Sequence, residues 1–162
     1  MENSCQTIRE LGLILSEEYS SVALVTFTAI AKTFAKRLNG GETVLFFGDL
    51  GSGKTTFIRS IMEEFHMDPN QVRSPTFNIV NTYQTEGNVF YHIDVYRITA
   101  DELFDLGFYD YQKPNSILFI EWAEKIVDEI EQADYLIHLE INEKNMHTRD
   151  IKIYTDGSDE RC

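Results

Sequence analysis

Cysteine is nearly absent from this chain, with two among 162 residues, Cys5 and Cys162, close to opposite ends. That leaves no disulfide framework and no zinc-ligand spacing, and it fits a reducing compartment. Basic residues are outnumbered, Lys+Arg 14 against Asp+Glu 27, for a formal charge of −13. A surface so acidic repels a phosphate backbone, which argues against unaided binding of RNA or DNA. Long apolar runs are missing too. Leu11–Leu15, beside Glu2, Arg9 and Glu10, is too short for a membrane span, and no small-residue cleavage site follows it. There is no repeat, low-complexity tract or linker. The expectation is one cytoplasmic domain over 1–162, with residues 1–20 as a strand plus an arm and 156–162 as a mobile tail.

What is present reads as an alternating α/β chain. Hydrophobic residues make up 43% and aromatics 12%, enough for a real core. From Thr26, the residues Phe27, Ile30, Ala31, Phe34, Ala35 and Leu38 fall at helical spacing, and Asn39-Gly40-Gly41 stops that helix. Thr43–Phe47 is a short apolar run, read as a buried strand. Phe57, Ile58, Ile61, Met62 and Phe65 mark a second helix that ends at Asp68-Pro69. Further strands are expected at Phe77–Tyr83, Val89–Tyr96, Ile117–Glu121, Tyr135–Ile141 and Ile151–Tyr154, with helices over Asp101–Leu106 and Ala123–Ile130. The strands at 77–83 and 89–96, joined by Thr85-Glu86-Gly87-Asn88, read as a hairpin. The expected fold is therefore a three-layer α/β P-loop domain around a mixed sheet.

Between the first buried strand and the second helix stands Gly48-Asp49-Leu50-Gly51-Ser52-Gly53-Lys54-Thr55, then Thr56. This satisfies G-x-x-x-x-G-K-S/T in full. Its glycines let the backbone curl so that N–H groups point at a phosphate, and the helix after it adds its positive end. Lys54 is expected to reach the β- and γ-phosphates, and the Thr55 hydroxyl to ligate Mg²⁺. A carboxylate at the end of a neighbouring strand usually assists the metal. Asp94 after Val89–Ile93 and Glu121 after Ile117–Ile120 both qualify, and spacing does not choose between them. Guanine recognition is not expected, because Asn142-Glu143-Lys144-Asn145 does not fit N-K-x-D and no D-x-x-G follows a strand. A small-molecule kinase is a rival reading, yet such kinases use arginine-bearing lids and arginines are scarce here. His92 reads as a strand residue satisfied in the core.

Beyond the loop come Ser74-Pro75-Thr76-Phe77, Tyr83, Tyr91-His92-Ile93-Asp94-Val95-Tyr96-Arg97, Glu102-Leu103, Leu106-Gly107 and Ile120-Glu121-Trp122-Ala123. In this order they resemble the bacterial TsaE family, the ATPase subunit of the machinery that makes threonylcarbamoyladenosine in tRNA. The resemblance runs from about Thr26 to Glu124. It implies that Lys54 serves the phosphates, that Thr55 and Glu121 hold Mg²⁺, and that Asp94 sits beside the metal and orients water. It places Ser74-Pro75-Thr76 near the γ-phosphate as a switch-like segment and Trp122 at the edge of the nucleotide site. The region near Thr26 then packs by the adenine, and Asp49, Gly51, Ser52, Gly53 and Thr56 join the cofactor contacts. The partner it implies is a TsaB–TsaD heterodimer, with tRNA met only through that complex. No nucleophile or carbamoyl-transfer site is offered by this chain itself. Lacking a guanine reader, the protein should prefer ATP, so an equal concentration of GTP should leave labelled ATP bound in a competition assay.

Overall fold

Alternation along the buried strands divides the core into two layers. The protein is described as a computed structural model over residues 8–157. Its strands are β1 (Ile14–Val22), β2 (Thr43–Phe47), β3 (Val80–Gln84), β4 (Val89–Asp94), β5 (Ser116–Glu121), β6 (Tyr135–Ile141) and β7 (Arg149–Thr155). In β2, Val44 and Phe46 enter one apolar cluster while Leu45 and Phe47 enter the other; in β5, Ile117 and Phe119 part from Leu118 and Ile120 in the same way. Both strands read as continuous apolar runs because both faces are covered. One sheet joins all seven in the order β1-β7-β6-β2-β5-β4-β3.

The four inner strands β6, β2, β5 and β4 are mutually parallel, whereas β3, β7 and β1 are antiparallel to their neighbours. Helices α1 (Leu24–Ala35) and α2 (Lys54–Glu64) pack on one face. The other is covered more thinly by α3 (Ala100–Asp105), α4 (Phe108–Tyr111) and two short 3₁₀ turns, Ala123–Lys125 and Val127–Glu129. The mixed α/β sheet expected from the sequence is what forms. Among the described residues no helix is long and apolar enough to cross a membrane.

Three expectations change. A regular helix over Ala123–Ile130 does not form: Trp122 adopts φ +62° and Ile126 φ −131°, which break the run into 3₁₀ turns. Ala123, Ile126, Val127 and Ile130 are buried all the same, so apolar spacing recorded burial rather than helical geometry. The strand expected from Phe77 begins at Val80, because the chain doubles back first. Asn78 and Ile79 both donate their N–H to Pro75 O, at 2.9 and 2.6 Å, and Phe77 is left 83% exposed. Of the expected arm over 1–20, residues 14 onward belong to edge strand β1, and residues 1–7 lie outside the described residues. Most of the tail expected to be mobile, with Cys162, lies outside them as well, as does Cys5.

Register aligns the strand ends that matter. Phe46 in β2 and Asp94 in β4 both pair with Glu121 in β5. The carboxyl ends of three parallel strands therefore lie side by side, directly before the glycine-rich loop that follows β2. In open α/β sheets this edge is where ligands bind.

Phe57 anchors α2 to the sheet. It is fully buried and meets Phe27, Phe34 and Phe46 at ring-centroid distances of 5.4, 6.2 and 6.0 Å. Phe57→Ala should cost about 3–5 kcal/mol of stability, read as a lower urea midpoint at unchanged slope.

Candidate functional site

The turn after β2 needs glycine for two separate reasons. Gly48 has φ +138°, and a Cβ there would meet Leu139 O at 2.2 Å and Ser52 Oγ at 2.7 Å. Gly53 sits at φ +108° in the N-cap position of α2, and a Cβ there would press on the Phe27 ring at 3.0 Å. Gly53, having no side chain, makes no side-chain cap hydrogen bond to the first N–H groups of α2.

Lys54, the first residue of α2, is only 5% exposed. Its Nζ donates to Gly48 O and, at 3.1 Å, to Asp49 O, and lies 3.9 Å from the centroid of the Trp122 ring. Burial lowers the ammonium from its usual value of 10.5, opposed by the charges of Glu121, Glu124, Asp94 and Asp49. One cation thus stands among four carboxylates. Trp122 owes its place to its left-handed backbone directly after β5, and its ring lies tilted at 44° against Tyr96, with centroids 4.8 Å apart.

Glu121, 3% exposed, joins two elements. Its Oε1 accepts from Thr55 Oγ1 at 2.7 Å and from His92 Nε2, also at 2.7 Å. His92 is fully buried on β4, and its Nδ1 has no hydrogen-bond partner. The sequence reads His92 as a strand residue satisfied in the core. It is a core residue, but its partner is a site carboxylate, a link that only the β4–β5 register could reveal.

Asp94 is 2% exposed and gathers a second set of groups. Its Oδ2 accepts from Thr76 Oγ1 at 2.8 Å and Ser74 Oγ at 3.0 Å, and its Oδ1 from Tyr96 N at 2.9 Å. The Ser74-Pro75-Thr76 segment is therefore held against the strand end by Asp94. Arg97 lies over the exposed ring of Phe77, the residue directly after Thr76, at 4.5 Å.

Beside the loop is a cavity of about 280 Å³ lined by Val22, Leu24, Phe27, Gly51, Gly53, Thr56, Met146, His147 and Arg149. Thr26 is exposed in the first turn of α1 and does not line it; its neighbours Leu24 and Phe27 do. Gly51, Gly53 and Thr56 link this cavity to the loop, and Ser52 is buried beneath. Two side chains that the sequence did not single out also touch the loop. Glu124 Oε1 accepts from Gly48 N at 3.2 Å, and Arg149 donates to Gly51 O and Ser52 O at 2.9 and 3.1 Å. Neither falls in a recognisable motif.

A small, hard cation suits this oxygen donor set. The Thr55 hydroxyl and two buried carboxylates, Glu121 and Asp94, meet at one edge, and the described residues include no cysteine. Among the described residues no group of three or more His, Cys, Asp or Glu is arranged to hold a metal by itself. The Thr55, Glu121 and Asp94 oxygens are of the kind Mg²⁺ takes, an ion that keeps several non-protein ligands.

The architecture defined so far is a mixed α/β sheet with a glycine-rich strand-to-helix loop at its carboxyl edge. The same fold is found in the crystal structure of YdiB from Bacillus subtilis, with a TM-score of 0.65 over 90% of each chain at 24% identity. A family model described as threonylcarbamoyl adenosine biosynthesis protein TsaE matches residues 23–151, and the chain belongs to that family. It is 34% identical over 128 residues to the tRNA threonylcarbamoyladenosine biosynthesis protein TsaE of Aquifex aeolicus, covering 77% of this chain and 86% of that one. The protein of the same description from Rickettsia typhi is 39% identical over 123 residues, covering 75% and 85%.

Burial raises the Glu124 carboxyl above its usual value of 4.5, against the lowering effect of its backbone hydrogen bonds and of Lys54. The folded state thus favours the protonated form. Its contribution is present below the unfolded value and is lost as pH rises through the raised one. Relative to Glu124→Gln, the parent should lose stability as pH climbs above 4.5, seen by comparing urea unfolding of the two proteins at acid and neutral pH.

Proposed function

We propose that this protein binds Mg-ATP on the phosphate loop 48–55 and hydrolyses it slowly, in support of threonylcarbamoyladenosine formation in tRNA. The observation that carries the reading is the buried Lys54 within reach of a Thr55–Glu121 pair at the carboxyl edge of the sheet. Lys54 now spends its hydrogen bonds on loop carbonyls and its charge on Trp122. Phosphate oxygens would offer it a charged acceptor instead, together with the N–H groups at the start of α2. Thr55 and Glu121 would hold Mg²⁺, which would supply neutralisation of phosphate charge. Asp49, Glu121, Glu124 and Asp94 around Lys54 make a metal-free triphosphate an unfavourable guest, so the nucleotide should enter as its magnesium complex.

Asp94 holds the hydroxyls of Ser74 and Thr76, and in this reading the three groups orient the attacking water. His92 keeps Glu121 Oε1 directed at Thr55. The base occupies the cavity along Gly51, Gly53 and Thr56, beside Leu24 and Phe27, with Trp122 bordering the phosphates. No arginine faces the strand-end carboxylates among the contacts of the described residues, since Arg97 lies over Phe77 and Arg149 is spent on loop carbonyls. Rapid hydrolysis commonly needs an arginine at the transferring phosphate, a group worth about 10³–10⁵ in rate. The partner complex, a TsaB–TsaD heterodimer acting on tRNA in the cytoplasm, would supply or order what is missing, and hydrolysis would drive its cycling. Phe77, Tyr96 and Leu50, exposed by 83, 52 and 84%, border the site on the side open to such a partner.

Two outcomes are expected. Lys54→Ala should abolish Mg-ATP binding in calorimetry. In steady-state assays the isolated protein should turn over slowly and be accelerated by purified TsaB–TsaD, with Thr76→Ala blunting the acceleration. A fast enzyme indifferent to the complex would overturn the proposal.

A further inference from the structure

The carbonyls of a phosphate loop need partners as much as its N–H groups do, and Gly48 O and Asp49 O find theirs in Lys54. Two others are met by one more side chain. Arg149, the first residue of β7, donates Nη2–H to Gly51 O at 2.9 Å and Nε–H to Ser52 O at 3.1 Å. Its Nη1 donates to Met146 O at 2.9 Å and Thr148 O at 2.8 Å. One planar guanidinium thus ties the loop after β2 to the turn between β6 and β7.

The platform beneath that guanidinium is itself well braced. Asn142 accepts on Oδ1 from Lys144 N and Asn145 N at 3.1 and 3.0 Å, and its Nδ2 donates to both carboxylate oxygens of Asp150. Asp150 Oδ1 also accepts from Ser21 N at 2.7 Å, which fastens the end of β1 to the same turn. Val22 and Ile141 pair with Arg149 on either side. Arg149 therefore stands on three tied strands and projects to a loop that belongs to a fourth. Its position also makes it a wall of the 280 Å³ cavity.

We propose that Arg149 is a positioning residue for the phosphate loop: by holding the carbonyls of Gly51 and Ser52 it fixes the peptide planes, one of them also closed by Ser52 N–H on Asp49 O at 3.1 Å, through which the chain enters α2 and its phosphate-facing N–H groups. This rests on the nucleotide reading above and adds a role that neither the loop motif nor the strand-end acids supply. The geometry requires arginine in particular, because four donors in one plane serve four carbonyls, whereas a lysine offers a compact charge on a flexible stem. The effect acts on the phosphates and not on the base, which separates it from walls such as Leu24, Phe27 and Met146.

The test uses the full chain with Arg149→Met and Arg149→Lys, and two probes, Mg-ATP and magnesium tripolyphosphate. Both variants should bind both probes about tenfold more weakly or worse, by the same factor for each probe. In the ligand-free proteins, amides of residues 49–55 should exchange faster with solvent than in the parent, with the sheet strands unchanged. Loss of ATP binding with tripolyphosphate binding intact would overturn the proposal, leaving Arg149 as a wall for the base alone. Parent-like binding by Arg149→Lys would overturn it too, since charge would then suffice. If the parent itself bound neither probe, the nucleotide reading would fall, while unchanged loop exchange in the variants would separately refute the clamp.

Discussion

A buried ammonium sets the terms for the whole carboxyl edge of the sheet. Removing Lys54 from water carries a desolvation cost of several kcal/mol in general terms, and the fold offsets it with two loop carbonyls, an aromatic face and the field of four acids. Each of those groups is placed by a different element. The carbonyls need the left-handed glycine turn, Trp122 needs its own left-handed backbone after β5, and Asp94 and Glu121 need parallel strands in register. Shifting any one strand by a residue would send its acid to the opposite face of the sheet. The parallel centre is therefore required by the site as much as by the core.

Around that centre, the antiparallel additions do a different job. β7 and β1 on one side, and β3 on the other, extend the sheet beyond the strands that end at the site. They also carry the braces. Arg149 enters from β7, and the doubled-back segment before β3 brings Ser74 and Thr76 to Asp94. Function at this edge is thus spread over nearly the full width of the sheet, although the chemistry occupies three strand ends.

How much of this was legible beforehand depends on whether the signal is local. The loop 48–55, the apolar runs of β2 and β5 and the two amphipathic helices are local patterns, and the mixed α/β architecture follows from their alternation. Asp94 and Glu121 could be picked out as strand-end acids, but their neighbours could not. That His92 faces Glu121 depends on which strands pair and in which register. That Arg149 reaches Gly51 and Ser52 depends on a contact spanning almost one hundred residues of sequence. The broken helix after Trp122 failed for the opposite reason. Its apolar spacing was satisfied by two 3₁₀ turns, because burial asks only for the side chains to face inward.

Trp122 has one more consequence. It is the sole tryptophan in the chain, and its ring lies against the Lys54 ammonium on one hand and Tyr96 on the other. An indole in contact with a cation emits differently from one that is not. Were an anion in the loop to draw the lysine from the ring, the electric field across the chromophore would change. The protein therefore carries a built-in optical gauge of its own loop, readable without any label and unobscured by emission from a second indole.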